Sequence, residues 1–218
     1  MKKIKLAILL AGLSFAAQAQ NFNKGSMSAD IQAGIDIYNT QYTTRYKINS
    51  FDTTIISTDR AGCKNVSFAY EYEVIKRLGV GARFKFNNYF VSKDSVTGTT
   101  PSAKSQDYML TVNYHLVDKD KFDLGAGISF GGSHLLYKTN NTTNDIITGN
   151  GTYFQFQLSP RFIIKKKVGL GICLYSPMVN YTKMTTNNTN INQYAISKWK
   201  GGGASGFTFT LSYLISTK

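Results

Sequence analysis

Hydrophobic and polar residues alternate along most of the chain. In the stretch EYEVIKRLGVGARFKF, residues 71–86, apolar side chains alternate with charged ones. The charged residues are Glu71, Glu73, Arg83 and Lys85. A period of two predicts β-strands, because successive side chains of a strand point to opposite faces. This stretch therefore predicts a hairpin with one apolar face and one charged face.

Eight segments repeat this alternation. Each has at least the roughly 9–11 residues that a tilted strand needs to cross a bilayer. The predicted strands cover residues 28–42, 63–74, 80–92, 106–117, 123–138, 152–164, 168–183 and 204–216.

The connections between these segments alternate in length. The short ones are residues 75–79, 118–122 and 165–167, and the long ones are 43–62, 93–105, 139–151 and 184–203. Short turns at one end and long loops at the other are typical of bacterial outer-membrane barrels with an even strand number. The chain is therefore predicted to be all-β, an eight-stranded antiparallel up-and-down transmembrane β-barrel. The short turns would be periplasmic and the long loops extracellular.

The charged face of each strand is predicted to point into the barrel. A charge that faced the bilayer midplane would cost about 2–4 kcal/mol, so the apolar face must meet lipid. The inward positions then form a structural network of charges inside the lumen. Its predicted members are Asp30, Asp36, Glu71, Glu73, Arg83, Lys85, Asp107 and Arg161. Within the hairpin, Glu71 is predicted to lie opposite Arg83.

The N-terminal residues have the features of an export signal. Lys2, Lys3 and Lys5 precede an apolar run that ends near the small-residue site Ala17-Gln18-Ala19. This order predicts a cleaved secretory signal peptide, and the apolar run is too short for a membrane helix. We expect a signal peptide at 1–19, a short periplasmic segment at 20–27 and the barrel at 28–217.

The last predicted strand carries a recognisable ending, GFTFTLSY at residues 206–213, with Phe209, Leu211 and Tyr213 at alternate positions. It resembles the assembly signal of outer-membrane barrels. With the architecture above, the chain resembles the small eight-stranded outer-membrane barrels typified by the OmpA membrane domain and OmpX, and the PorT-like barrels. The resemblance implies an outer-membrane location in a Gram-negative cell envelope.

Tyrosine is abundant, with 14 residues in the chain. Amphipathic rings favour the membrane–water boundary, so tyrosines near the predicted strand ends are expected at the upper rim. These are Tyr38, Tyr42, Tyr89, Tyr108, Tyr137, Tyr153 and Tyr181.

The formal charge of +13 falls to +10 when the three lysines of the signal peptide are removed. The remaining lysines are scattered, apart from the triplet at 165–167. This distribution favours contact with outer-membrane lipid headgroups and lipopolysaccharide, and no nucleic-acid partner is expected. We expect a monomer that can also meet a protein or surface partner through its extracellular loops.

Candidate catalytic and metal-binding residues are few. Ser133 and His134 are neighbours on one strand, so they point to opposite faces and cannot act as a nucleophile–base pair. His115 is expected to be a hydrogen-bonded lumen residue. Cys63 and Cys173 lie at different predicted heights and are expected to be free thiols. No catalytic residue, metal site or cofactor is predicted.

These features favour one function over two alternatives. The interior of an eight-stranded barrel is just wide enough for its own side chains, so a wide pore is not expected. The favoured function is a structural or surface-interaction role through extracellular loops. The alternatives are an outer-membrane lipid-modifying enzyme or protease, and a soluble periplasmic carrier resembling lipocalins.

Overall fold

The computed structural model describes residues 22–93, 98–140, 145–165, 167–188, 192 and 195–215. The predicted signal peptide lies outside these ranges. The described residues form eight β-strands. They are β1 (Met27–Ile48), β2 (Phe51–Ile75), β3 (Leu78–Tyr89), β4 (Ser102–Lys119), β5 (Phe122–Lys138), β6 (Ile146–Ile164), β7 (Val168–Thr186) and β8 (Ala195–Ile215).

The strands close into a ring. Each strand pairs antiparallel with the next along the chain, and β8 pairs antiparallel with β1. Closure leaves no sheet edge within the ring, which is the condition for a β-structure to cross a lipid bilayer. The predicted up-and-down barrel is confirmed. We call the end with the short turns the periplasmic end and the other the extracellular end, following the predicted topology.

The outer face of the barrel is apolar and its inner face is polar. Ile31, Phe68, Phe84 and Tyr108 lie side by side on four neighbouring strands, and all four are exposed. The positions between them are buried and mostly polar. A soluble lipocalin-like carrier needs the reverse arrangement, so that alternative is wrong. No helix among the described residues is long and apolar enough to cross a membrane.

Two of the predicted long loops are largely β-strand. Residues 43–62 continue β1 and β2 up to a tight turn at Asn49–Ser50, where Asn49 adopts a left-handed conformation with φ of 53°. The predicted loop at 184–203 contains the end of β7 and the first nine residues of β8. The loop prediction followed the polar composition of these segments. Their threonine, isoleucine and tyrosine residues favour strands.

The hairpin of β2 and β3 differs in register from the prediction. Glu71 lies opposite Gly81, and Arg83 lies opposite Ala69. The two strands are joined by only Lys76 and Arg77, and the register shifts by one residue between Glu73 and Ile75. This shorter turn moves every pair by two residues, so the inner and outer faces are kept but Glu71 and Arg83 are not cross-strand neighbours.

Candidate functional site in the barrel lumen

The barrel lumen contains all the residues predicted to form the charge network. Asp30 is half-buried and the other members are buried. Most of them belong to two clusters at different heights. The upper cluster contains Asp36 and Lys85. The lower cluster contains Glu71, Glu73 and Arg161 together with His115 and Asp123.

The upper cluster centres on a buried ion pair. Lys85 Nζ lies 2.5 Å from Asp36 Oδ2, and it also donates to the hydroxyl of Tyr153 at 3.0 Å. The other oxygen of Asp36 accepts hydrogen bonds from the Tyr175 hydroxyl at 2.5 Å and from Asn65 Nδ2 at 3.0 Å. Each charge is therefore paired with the other and also hydrogen-bonded to neutral side chains, which offsets the cost of its burial.

Asp107, opposite Lys85 in the pairing of β3 and β4, is held by hydrogen bonds from neutral side chains. Its carboxylate accepts hydrogen bonds from Ser133 Oγ at 2.5 Å and from Asn87 Nδ2 at 2.6 Å. Ser133 is thereby directed into the lumen, where its oxygen also lies 2.6 Å from the Tyr181 hydroxyl. These two contacts hold the Ser133 hydroxyl inside the lumen.

The lower cluster surrounds His115 with carboxylates. His115 Nε2 lies 2.8 Å from Glu71 Oε1 and 3.1 Å from Glu73 Oε1. On the other side of the ring, Nδ1 lies 2.6 Å from Asp123 Oδ1. Arg161 Nη2 donates to the second oxygen of Asp123 at 2.8 Å. His115 is a hydrogen-bonded lumen residue, as predicted.

Asp123 was missed by the sequence analysis, although the alternation could have identified it. Asp123 lies two residues before Gly125 on the face of β5 that points into the lumen, and it is fully buried. Asp123 is the first residue of the predicted strand 123–138, but it was not included among the predicted lumen charges. Asp123 connects His115 to Arg161, so it links the two sides of the lower cluster.

A glycine makes room for the lower cluster. Gly79 of β3 lies opposite Glu73 on one side and opposite Asn113 on the other. A Cβ atom on Gly79 would collide with Glu71 Oε1, well inside van der Waals contact. Because β3 has no side chain at position 79, Glu71 of β2 can reach over it to Asn113 and His115 of β4.

Arg83 is buried between the two clusters without the predicted partner. Glu71 instead accepts a hydrogen bond from Asn113 and contacts His115. Arg83 Nε has no hydrogen-bond partner among the described residues. Arg83 borders an internal cavity of about 20 Å³ that Glu71 and His115 also line, and a cavity of this size has room for about one water molecule.

The segment at residues 22–26 closes the periplasmic end of the lumen. The Phe22 side chain is 1% exposed and stacks on the His115 ring, with centroids 3.7 Å apart and an interplanar angle of 14°. It also packs against Ile163 and Leu214. The Phe22 backbone N–H donates to Asp118 Oδ2 at 3.3 Å. We call residues 22–26 the N-terminal plug.

Aromatic side chains close the lumen toward the extracellular end. Tyr38 and Tyr181 are fully buried, and Trp199 packs against both rings. The expectation that Tyr38, Tyr153 and Tyr181 lie at the membrane boundary is wrong, because they occupy inward positions of β1, β6 and β7. Above this layer a vestibule of about 690 Å³ opens to the outside.

These closures predict a very low ionic conductance. The purified protein, inserted in a planar lipid bilayer, is expected to show no large stable openings, since the plug, both clusters and the aromatic layer lie in series along one axis. Single-channel recording tests this, with a porin in the same bilayer as the positive control. Stable porin-sized currents would contradict the filled lumen.

The remaining candidate side chains are separated from one another. His134 faces outward from β5, with Nδ1 2.7 Å from Asn150 Oδ1, whereas Ser133 faces inward. Cys63 and Cys173 are buried free thiols, as expected. No serine–histidine pair of the kind used in hydrolysis therefore forms at Ser133.

Comparisons with known proteins identify the fold. No family model matches the chain, and no curated protein matches it significantly in sequence. Outer membrane protein OprG from Pseudomonas aeruginosa is similar with a TM-score of 0.56 and 8% identity, over 91% of this chain and 100% of OprG. The structure of Neisserial surface protein A has a TM-score of 0.51 and 6% identity, over 89% of this chain and 100% of that chain. Outer membrane protein AlkL in lipid bilayers has a TM-score of 0.50 and 12% identity, over 92% and 95%.

At these identities the likeness concerns the fold. The chain has the fold of the small outer-membrane β-barrels, as predicted from its alternation and loop pattern. The outer-membrane location predicted from the sequence agrees with the location of these structural neighbours and with the apolar outer face of the barrel.

Proposed function

We propose that this protein is a non-catalytic outer-membrane barrel that binds the phosphate groups of lipopolysaccharide through basic residues at its extracellular end. The observation that carries the proposal is a pair of outward lysines, Lys64 and Lys104, at the upper edge of the apolar outer face. The lumen is filled and closed, so the extracellular surface is the part of the molecule that remains available for a partner.

The extracellular part of the barrel rises far above the membrane. The 22 residues of β1 span about 55 Å along the barrel axis, taking about 3.3 Å per residue and a tilt of about 40°. The apolar band of such barrels is only about 25 Å tall. β1 stays paired with β2 up to Ile48 and with β8 up to Tyr46. We call residues 39–62 and 195–203 the extracellular sheet.

The extracellular sheet is basic. It contains two acidic side chains, Asp52 and Asp59, against a larger number of basic ones. The basic residues, all exposed, are Arg45, Lys47, Arg60, Lys198 and Lys200. Arg45 Nε donates to Asp52 Oδ1 at 2.8 Å, and this hydrogen bond lowers the pKa of Asp52. A net positive surface attracts the anionic groups of lipopolysaccharide.

Two lysines lie where lipid phosphates are expected. Lys64 of β2 and Lys104 of β4 are both paired with Asn88 of β3, so they are separated by two strand spacings, about 10 Å. All three side chains are exposed on the outer face. Val66 of β2 and Phe86 of β3 are the next outward-facing residues in the direction of the periplasmic end, and both belong to the apolar face. Lys64 and Lys104 therefore lie at the upper boundary of the apolar band.

Replacing both lysines is expected to weaken lipopolysaccharide binding. An anionic membrane surface attracts each nearby lysine by about 1 kcal/mol. Lys64→Gln with Lys104→Gln therefore removes about 2 kcal/mol, which corresponds to a roughly 30-fold weaker dissociation constant. Titration of the detergent-folded variants with labelled lipopolysaccharide measures this change.

The matched control changes the same number of charges at the other end of the barrel. Lys24 and Lys121 are exposed near the periplasmic end, and Lys24→Gln with Lys121→Gln is expected to bind lipopolysaccharide like wild type. If both double variants weaken binding equally, the interaction depends on overall charge alone and the proposed site is wrong.

A further inference from the structure

We propose that Glu71, Glu73 and His115 bind one divalent transition-metal cation, such as Zn²⁺, inside the lumen next to the N-terminal plug. The proposal is independent of lipopolysaccharide binding, because the lower cluster lies at the opposite end of the barrel from the extracellular sheet.

The three side chains have the geometry of a metal site. Glu71, Glu73 and His115 can each offer one ligand atom, and these three atoms lie within 4.8 Å of one another. Zinc–nitrogen and zinc–oxygen bonds of about 2.0–2.2 Å place neighbouring ligands of a tetrahedral ion about 3.4 Å apart. Glu71 and Glu73 lie 2.8 and 3.1 Å from Nε2, so shifts of a few tenths of an ångström would admit the ion.

Glu73 gives an independent indication that its charge is incompletely compensated, because the nearest cationic group, His115, is shared with Glu71 and Asp123. Its side chain is 1% exposed, and neither carboxylate oxygen has a hydrogen-bond partner among the described residues. Oε1 points toward His115 Nε2, which lies closer to Glu71. A buried carboxylate without donors is strongly unfavourable. A cation between Glu73, Glu71 and His115 would compensate this charge.

A carboxylate behind the histidine completes the arrangement. Asp123 Oδ1 lies 2.6 Å from His115 Nδ1, and Arg161 holds the other oxygen of Asp123. Metal-bound histidines commonly donate their second ring N–H to a carboxylate, which fixes the tautomer and directs the free lone pair at the metal. With Nδ1 protonated, Nε2 becomes a ligand when the cation displaces the proton that Nε2 shares with the glutamates, and that proton is released to water. A neutral imidazole and two carboxylates match the charge of a dication.

The choice of metal follows from the ligand atoms. An imidazole nitrogen with two carboxylate oxygens suits Zn²⁺ and neighbouring transition metals, whereas Ca²⁺ and Mg²⁺ prefer oxygen ligands alone. The cavity of about 20 Å³ beside Glu71 and His115 can supply a water molecule as a fourth ligand.

Metal binding would fasten three parts of the chain together. Glu71 and Glu73 belong to β2, His115 belongs to β4, and Phe22 of the plug stacks on the imidazole ring. A ligand that binds the folded state alone stabilises it by mass action. The cation is therefore expected to raise the unfolding temperature of the barrel.

Titration of the folded, chelator-treated protein in detergent tests the proposal. We expect one Zn²⁺ per chain by competition with a chromophoric chelator, and a Co²⁺ spectrum without the intense near-ultraviolet bands of thiolate ligands. Glu73→Gln and His115→Asn are expected to weaken Zn²⁺ binding by more than about 100-fold. A substitution of a residue that only hydrogen-bonds a metal ligand typically has a smaller effect. Thiolate bands, or the absence of stoichiometric binding to the wild-type protein, would overturn the site.

Two control variants separate the site from general effects. The chain contains two histidines, and His134→Asn is expected to retain full affinity because His134 faces outward. Asp107→Asn changes a buried lumen carboxylate outside the lower cluster and is expected to keep the Zn²⁺-dependent rise in unfolding temperature. If Glu73→Gln and Asp107→Asn bind Zn²⁺ equally, Glu73 is not a ligand and the proposal is wrong.

One measurement does not depend on the folding of any variant. Co²⁺ bound to the wild-type protein is expected to broaden the imidazole NMR signals of His115 while leaving those of His134 unchanged. Broadening of His134 alone, or of neither histidine, would place the metal elsewhere and refute the site.

Discussion

Lys85→Met is expected to lower the free energy of unfolding by about 3 kcal/mol, near the lower end of the 3–5 kcal/mol range for breaking a buried ion pair. Methionine keeps the length of the side chain but leaves the Asp36 carboxylate without its cation. Tyr175 and Asn65 still donate to Asp36, which is why the lower end is expected. Urea titration of the protein folded in lipid vesicles measures the change.

A double-mutant cycle identifies the pair as the cause. Asp36→Asn alone is also expected to destabilise the barrel, and the double variant should lose less than the sum of the two single losses. Arg45→Met serves as the control, because it breaks an ion pair whose side chains are exposed and is expected to leave stability unchanged. Additive losses for Lys85 and Asp36 would mean that the two side chains do not interact.

Phe84→Lys is expected to destabilise the barrel by about 2–4 kcal/mol, the cost of a lysine on the lipid face near the bilayer midplane. Phe84 is 55% exposed on the outer face of β3 and lies between Phe68 and Tyr108 of the adjacent strands. The variant should convert from the folded to the unfolded band at a lower temperature on a semi-native gel.

The control places the same residue on the same face of the same strand. Asn88 points outward from β3 at the height of Lys64 and Lys104, where a lysine costs only about 0–1 kcal/mol. Asn88→Lys is therefore expected to melt close to wild type. Equal melting temperatures for Phe84→Lys and wild type would show that the apolar face does not contact lipid.

Much of the fold could be predicted because a single signal, the alternation of side chains, repeats in every strand. The alternation distinguishes the lipid face from the lumen, so it correctly predicts that Asp36, Lys85 and Arg161 lie on the inner face, where all three are buried. It is also a better guide than residue type. Tyr38 lies on the same face of β1 as Asp36 and is buried in the lumen. The preference of tyrosine for membrane boundaries had instead suggested a position at the rim.

Register and strand ends were harder to predict, because they depend on turn geometry. Alternation is unchanged when a hairpin slips by two residues, so the sequence could not distinguish Glu71 opposite Arg83 from Glu71 opposite Gly81. Likewise, the polar residues of 43–62 gave no apolar face to detect, because this part of β1 and β2 lies outside the lipid. Asn49 is a local sequence indication of the tight turn, because asparagine tolerates the left-handed conformation that it adopts there.

The lower cluster could not be predicted from the spacing of its members. Glu71 and Glu73 are separated from His115 by more than 40 residues, and they meet only because Gly79 leaves β3 bare between β2 and β4. No metal site was predicted, because spacing along the chain was the criterion. In a barrel, side chains distant in sequence converge across strands, so spacing could not have indicated the metal site that we propose.

The contacts of the N-terminal plug also constrain the order in which the barrel assembles. Phe22 packs on Leu214 of β8 and on His115 of β4, and the Glu73 carbonyl of β2 accepts a hydrogen bond from the Gly25 N–H. Phe22 can make the full set of these contacts only when β8 is in its place beside β1. We therefore expect Phe22 to complete its packing after the ring has closed, while the periplasmic end of the lumen is still open.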